Sequence, residues 1–348
     1  MVRAMVYKDE LKKRGIQASF FKLNSQFLTN LIKLISFYPI NFFLRVLKKI
    51  YFLFRRYFLL SNLSQYDVII AVKFIDSTIL QQIKHKSKAL LVYDFDDAVW
   101  LDMFFGEEEF SKKISISDCI TSDNIYLANY ANKYNKNSYV VNGPCQVEKF
   151  SLLENSFESL VKKDNEIVLG WIGSPYTLFY LYKIYDALEA IGDKYPNVIL
   201  KLIGTGDNLL LVPPFEKIKI KIVPSYNQFQ MIEQVYSFDI GLYPLFLNEL
   251  SLGRGALKAT IYMSGKIPFV ASSIGEVKEL IKDGTNGFLA NNNEEWINKL
   301  SLLIESSKLR NNMGARGFDL VNQNYTIESC SNQFINIVEK QLSFRSSK

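Results

Sequence analysis

The sequence predicts two doubly wound α/β domains, each built on a mostly parallel sheet and facing the other across a cleft. Three observations carry that prediction. The 348 residues exceed the length at which one hydrophobic core usually keeps growing. Short apolar runs rich in β-branched residues alternate with helical patterns in two successive series, which implies parallel sheets with helices on both faces. A polar, lysine-bearing stretch, residues 151–165, separates the two series and is the linker candidate.

The chain opens with the end of a helical pattern, a turn at Gly15 and a short run, residues 17–21, that reads as a strand. A strand should precede that helix and none does. Either the first domain dispenses with its usual first strand or the chain begins upstream of Met1. After an apolar, basic stretch at 27–60, residues 66–72 and 89–93 read as buried parallel strands. Residues 119–121 and 138–141 continue the alternation around a helix at about 124–134, and this first domain, residues 1–150, ends near Phe150. The second series gives strands at 166–171, 198–203, 218–223, 238–243 and 267–271, with helices at 178–191, 228–236 and 256–264. Helical periodicity runs through 296–342. The second domain is thus expected over 166–320, with residues 321–348 forming a helix that packs back on the first.

Composition excludes several chemistries. Hydrophobic residues at 48% and charged residues at 22% fit a globular protein rather than extended disorder. Cys119, Cys145 and Cys330 are odd in number and widely spaced, which suits neither a disulfide framework nor a paired-cysteine metal site and points to a reducing compartment. The one histidine, His85, stands in a polar stretch, so a His-based triad or multi-His metal site is not expected. Residues 1–26 show no secretory signal, which predicts a cytoplasmic protein.

The charge distribution is uneven: residues 11–66 hold ten Lys or Arg and no Asp or Glu. The longest uncharged run there, 34–44, is too short to cross a bilayer and contains Pro39. Read as a helix with about 3.6 residues per turn, Arg45, Lys48, Lys49, Arg55 and Arg56 fall within roughly a third of the circumference. Phe42, Phe43, Val46, Leu47, Ile50, Phe54 and Phe58 occupy much of the rest. This pattern predicts an interfacial anchor on an anionic membrane surface; the competing reading is a helix packed on the first domain. No nucleic-acid partner is expected, because the cations alternate with aliphatic bulk.

Ligands of open α/β sheets bind beyond the carboxyl ends of the strands, so the loops after the predicted strands are the candidate site. Asp94-Phe95-Asp96-Asp97 follows the strand at 89–93; Asp96 or Asp97 would orient sugar hydroxyls, while helix capping is the structural alternative. Gly173 and Ser174 open the second domain at a strand end, where a glycine allows close approach and free amides attract anions. Pro224 and Ser225 stand directly after the strand at 218–223 and complete the candidate nucleotide-binding set with Gly253 and Gly255. In Gly253-Arg254-Gly255-Ala256-Leu257-Lys258, a helix starting near Gly253 or Arg254 would bring Arg254 and Lys258 onto one face. A diphosphate there would meet backbone amides, a helix dipole and two cations.

With these loops in view, the chain resembles family 4-type GT-B glycosyltransferases. The similarity is clearest over 170–317: Gly170-Trp171-Ile172-Gly173-Ser174-Pro175, then Asp239-Ile240-Gly241-Leu242-Tyr243-Pro244-Leu245, then the Arg254 and Lys258 loop. Ile267-Pro268-Phe269-Val270-Ala271-Ser272, Asp283-Gly284-Thr285-Asn286-Gly287-Phe288, Glu295-Trp296 and Leu309-Arg310-Asn311-Asn312-Met313-Gly314 follow in the family order, and Val140-Val141-Asn142-Gly143 looks like the end of a family N-terminal domain. The resemblance implies two Rossmann-like domains, a UDP- or GDP-sugar donor on the second, and a glycan or lipid-linked acceptor reaching from the first. It also implies transfer with retention, no permanently bound cofactor or metal, and a place in bacterial surface polysaccharide or glycolipid synthesis at the cytoplasmic face of the membrane. Arg254 and Lys258 would stabilise the departing nucleoside diphosphate. The family's Glu-x7-Glu pair would fall near Gly253 and Ile261, where no acid stands, and the basic residue often found after the Gly173 loop is absent. Two other readings therefore stay open: a catalytically silent GT-B protein that binds a nucleotide or partner enzyme, and a metal-dependent transferase using Asp94-x-Asp96.

Overall fold

The computed structural model describes residues 3–21, 38–101, 106–157, 166–207 and 209–347. Two parallel sheets organise them. The first has four strands in chain order, β1 (Val68–Val72), β2 (Leu90–Phe95), β3 (Cys119–Ser122) and β4 (Ser138–Val140). The second has six, β5 (Ile167–Ile172), β6 (Val198–Ile203), β7 (Lys219–Val223), β8 (Ile240–Tyr243), β9 (Phe269–Ser272) and β10 (Phe288–Ala290). Its order is β10-β9-β8-β5-β6-β7, so the winding reverses between β5 and β8. A crevice opens at such a reversal, and it fixes where a ligand is to be sought.

The two halves are tied together by the chain itself. The helix Ile327–Ser346 inserts Cys330, Phe334, Ile335 and Val338 among Leu90, Val92, Cys119 and Val141 of the first sheet. At the crossing, the Cys145 amide donates to the Tyr325 carbonyl at 2.9 Å and the Asn142 amide donates to the Gln333 side chain at 3.1 Å. Residues 151–157 of the expected linker belong to the helix Val147–Phe157, whose Val147 and Phe150 join the core of the second domain. The remainder, 158–165, lies outside the described residues.

Two expectations change. Residues 17–21 form no strand, and β1 is the edge of the first sheet. Phe21 has an aromatic partner instead, stacking on Phe58 at 6.0 Å with the Arg55 guanidinium 3.9 Å from its ring. The helix expected at 178–191 is a 3-10 segment, Pro175–Ile184, followed by an α-helix, Tyr185–Lys194. Leu178, Leu181 and Ile184 are all fully buried at a spacing of three, the period at which 3-10 side chains eclipse on one face. The apolar, basic helix spans Tyr38–Ser61; residues 27–37 of the expected anchor lie outside the described residues. Phe52, Leu59 and Leu60 pack on the first domain and Arg56 donates to Gln82 at 3.0 Å, whereas Phe43, Ile50, Phe54 and Tyr57 are 60%, 57%, 66% and 73% exposed along one helical stripe. Among the described residues no helix is long and apolar enough to cross a membrane.

Candidate functional site

The crevice between β5 and β8 is lined by aromatic rings holding two cations. Tyr262 anchors its floor: the phenol donates to the Leu242 carbonyl at 3.0 Å and accepts from the Ile172 amide at 3.3 Å, bridging the two strands at the reversal. Lys258 projects from the first turn of the helix Leu257–Ser264 and places its amine 4.3 Å from the Trp171 ring centre and 5.7 Å from that of Tyr243. The Arg254 guanidinium lies 5.5 Å from the ring centre of Tyr180, whose hydroxyl is 3.1 Å from Ser251 Oγ. Arg254 Nε is buried with no hydrogen-bond partner among the described residues.

The helix begins at Leu257, later than expected, so Arg254 stands in the preceding turn rather than one helical turn behind Lys258. The Asn248 side chain caps the short helix Glu249–Leu252 by accepting from the Ser251 amide at 2.8 Å, and residues 253–256 then form the turn. The cations nevertheless share one field. Burial, and secondly the charge of Arg254, bring the Lys258 amine down to about 7 from 10.5.

The first domain closes over this turn. The Asn124 side chain donates to the Gly253 carbonyl at 3.4 Å and to Asp123 Oδ1 at 3.3 Å. A Cβ on Gly255 would stand 2.3 Å from Asp123 Oδ2, and one on Gly253 would stand 2.6 Å from Ala98 Cβ. The turn thus follows the first domain so closely that a side chain at Gly253 would meet the Ala98 backbone, and one at Gly255 would force the Asp123 carboxylate or the turn aside. The Gly255 carbonyl accepts from Tyr243 Oη at 3.1 Å.

Other expected residues lie around this centre rather than in it. Gly173 ends β5, with its amide bonded to the Ile203 carbonyl at 3.0 Å, and Ser174 begins the next turn through Thr177, whose hydroxyl accepts from the Ser174 amide at 3.1 Å. Asp96 and Asp97 both pair with Lys73, at 2.9 Å for Asp96. Asp94 is buried and accepts from Thr121 Oγ1 at 2.6 Å, so Asp94 and Asp96 serve separate partners. Pro224 and Ser225 are exposed at the end of the edge strand β7, with β6 and β5 between them and the reversal. Asp123, Asn124 and Tyr180 went unmarked in the sequence. The loop after β3 could have been marked by the same strand-end rule that marked the loop after β2.

The family model of glycosyl transferases group 1 matches residues 166–306, which include the reversal and both cations. Over that stretch the chain is similar to group 1 glycosyl transferases. No curated protein matches the chain in sequence. Solved structures share the two-domain GT-B architecture. A glycosyltransferase from Rickettsia africae superposes with a TM-score of 0.68 at 14% identity, covering 97% of this chain and 93% of that one. Anabaena HepE, in complex with UDP and glucose, gives 0.63 at 14% identity over 82% and 81%. S. aureus TarM, in complex with Fondaparinux, alpha-GlcNAc-glycerol and UDP, gives 0.60 at 14% identity; the alignment covers 81% of this chain but only 58% of the TarM chain.

Proposed function

We propose that the protein is a nucleotide-sugar-dependent glycosyltransferase whose donor diphosphate lies on Arg254 and Lys258. The observation that carries this reading is the pair of cations at the winding reversal, within the stretch similar to group 1 glycosyl transferases, with one guanidinium nitrogen buried and bonded by no described residue. The planar fork of Arg254 suits two phosphate oxygens, and Lys258 supplies a compact charge. As the anomeric C–O bond to phosphate breaks, negative charge grows on the leaving diphosphate and both interactions strengthen, which lowers the barrier. The new bond joins the anomeric carbon to an acceptor oxygen, and the acceptor's proton passes to the departing phosphate on the same face, giving retention. Gly173, Ser174, Gly253 and Gly255 shape the donor crevice, with Pro224 and Ser225 at its outer rim. Asp96 and Asp97, held by Lys73, face the acceptor side. UDP in the HepE and TarM structures favours a UDP-sugar donor, with a GDP-sugar as the competing choice.

The acceptor in this reading is a glycan or a lipid-linked glycan in bacterial surface polysaccharide or glycolipid synthesis. The exposed stripe Phe43, Ile50, Phe54 and Tyr57, flanked by Arg45, Lys48 and Lys49, supports attachment to the anionic inner face of a membrane, where such acceptors reside. A second reading, a silent binding protein, is favoured by Gly253 and Ile261 standing where the family carries glutamates. Turnover separates the two. Incubation with UDP- and GDP-sugars and membrane extract should release free nucleoside diphosphate; binding without release selects the silent protein, and absence of both defeats the proposal.

A further inference from the structure

A pocket of about 250 Å³ lies between the end of β4, the helix Glu276–Leu280 and the end of the helix Ser307–Asn324. Its polar lining is Asn142, Glu276, Glu279, Asn324 and Tyr325, and Leu280 and Leu320 complete the wall. Tyr325 is 9% exposed. Its backbone is fixed at both ends, the amide donating to the Val321 carbonyl at 2.9 Å and the carbonyl accepting from Cys145 at 2.9 Å. Burial, and secondly the charge of Glu276, push the phenol up, so at neutral pH it remains a proton donor.

The pocket adjoins the proposed diphosphate site. A Cβ on Gly275, the residue before Glu276, would lie 3.0 Å from the Ser251 carbonyl oxygen, so this turn packs directly on the segment leading into Arg254. Tyr243 Oη, bonded to Gly255, feels the charges of both Arg254 and Glu276. A group attached to a diphosphate on Arg254 and Lys258 would enter the pocket next. Two carboxylates and two side-chain amides offer acceptors to hydroxyl or ammonium donors, Tyr325 offers one hydroxyl, and the leucines offer apolar wall for ring C–H groups.

We propose that this pocket is the subsite for the donor's glycosyl unit, a neutral or ammonium-bearing hexosyl group whose hydroxyls bond Glu276 and Tyr325. Glu276 then provides the carboxylate that is missing at positions 253 and 261. Two resident carboxylates reject a uronic acid, because a third would meet like charge. This inference rests on the nucleotide-sugar reading above, and the test separates the two.

Calorimetry is performed with UDP, GDP, UDP-glucose, UDP-N-acetylglucosamine, GDP-mannose and UDP-glucuronic acid on the wild type, Glu276→Gln and Tyr325→Phe. For the neutral nucleotide-sugar that the wild type binds best, Glu276→Gln should weaken binding about tenfold to a hundredfold, and Tyr325→Phe about twofold to tenfold. The free nucleoside diphosphate should bind all three proteins within about twofold, and UDP-glucuronic acid should bind the wild type at least about tenfold more weakly than UDP-glucose. If both folded variants keep wild-type affinity for the sugar conjugate, or the uronate binds best, the subsite is wrong while the diphosphate site stands. If Glu276→Gln also loses the free diphosphate, Tyr325→Phe decides. Failure of UDP and GDP to bind the wild type is a different result: it removes the nucleotide-sugar reading, and this subsite with it.

Discussion

Lys258 should make nucleotide binding depend on pH in a direction that the structure determines. Trp171 and Tyr243 present ring faces that favour an ammonium, but burial, and secondly the charge of Arg254, outweigh them and hold the amine at about 7. A diphosphate arriving there restores the cation, so above that value binding takes up a proton. Affinity for free UDP should fall by about tenfold per pH unit from about 7 upward, until the higher pKa of the complex is reached. Calorimetry in two buffers of different ionisation enthalpy at a pH near 8 should report uptake approaching one proton. Lys258→Met should bind more weakly and lose both the slope and the uptake. The folded value lies below the 10.5 of the free side chain, so the unfolded chain binds more protons between about 7 and 10.5. In the absence of ligand, stability should therefore rise with pH through that window, and the destabilisation from Lys258 should be complete below it. A flat affinity profile in the wild type, or an unchanged slope in Lys258→Met, would refute the reasoning.

Three further outcomes are expected. Gly255→Val should fold yet lose at least about tenfold in UDP affinity, because its Cβ would stand 2.3 Å from Asp123 Oδ2 and push the Arg254 turn off the first domain; calorimetry on the folded variant checks it. Gly314→Ala should lower stability by about 2 kcal/mol or more in urea titration, because its Cβ would meet the Lys266 carbonyl oxygen at 2.0 Å and backbone cannot rotate away. In liposome flotation at low salt, the protein should rise with anionic vesicles and not with neutral ones, and salt should release it; equal recovery from both, or none, would count against the exposed helix stripe as an anchor.

Much of the fold could be read from the sequence because buried parallel strands announce themselves as short β-branched runs. Strands β1, β2, β5 and β6 were placed to within about two residues on that signal. The failures have physical causes. Residues 17–21 carry strand-like residues, but Phe21 packs against Phe58 and Arg55 of a helix that comes later in the chain. The segment Pro175–Ile184 has helical composition, yet its buried residues recur every three positions, which a 3.6-residue template blurs. At the site, the glycines flanking Arg254 were legible as a demand for close approach. What approaches them was not, because Ala98, Asp123 and Asn124 come from the other domain, more than a hundred residues earlier. The pairing of Asp96 and Asp97 with Lys73 was equally hidden, since Lys73 follows a different strand.

The most direct test of the central claim is calorimetric titration of UDP and GDP into the wild type, Arg254→Ala and Lys258→Ala, paired with nucleoside diphosphate release from the matching sugar donors. A charge-assisted bond to phosphate contributes about 1.5–3 kcal/mol and more as the leaving group gains charge. Arg254→Ala should thus lower turnover by about tenfold to several hundredfold and weaken the free diphosphate, and Lys258→Ala should do so to a smaller extent at pH above about 7. Wild-type turnover and wild-type diphosphate affinity in both folded variants would contradict the account and move the donor site away from this turn.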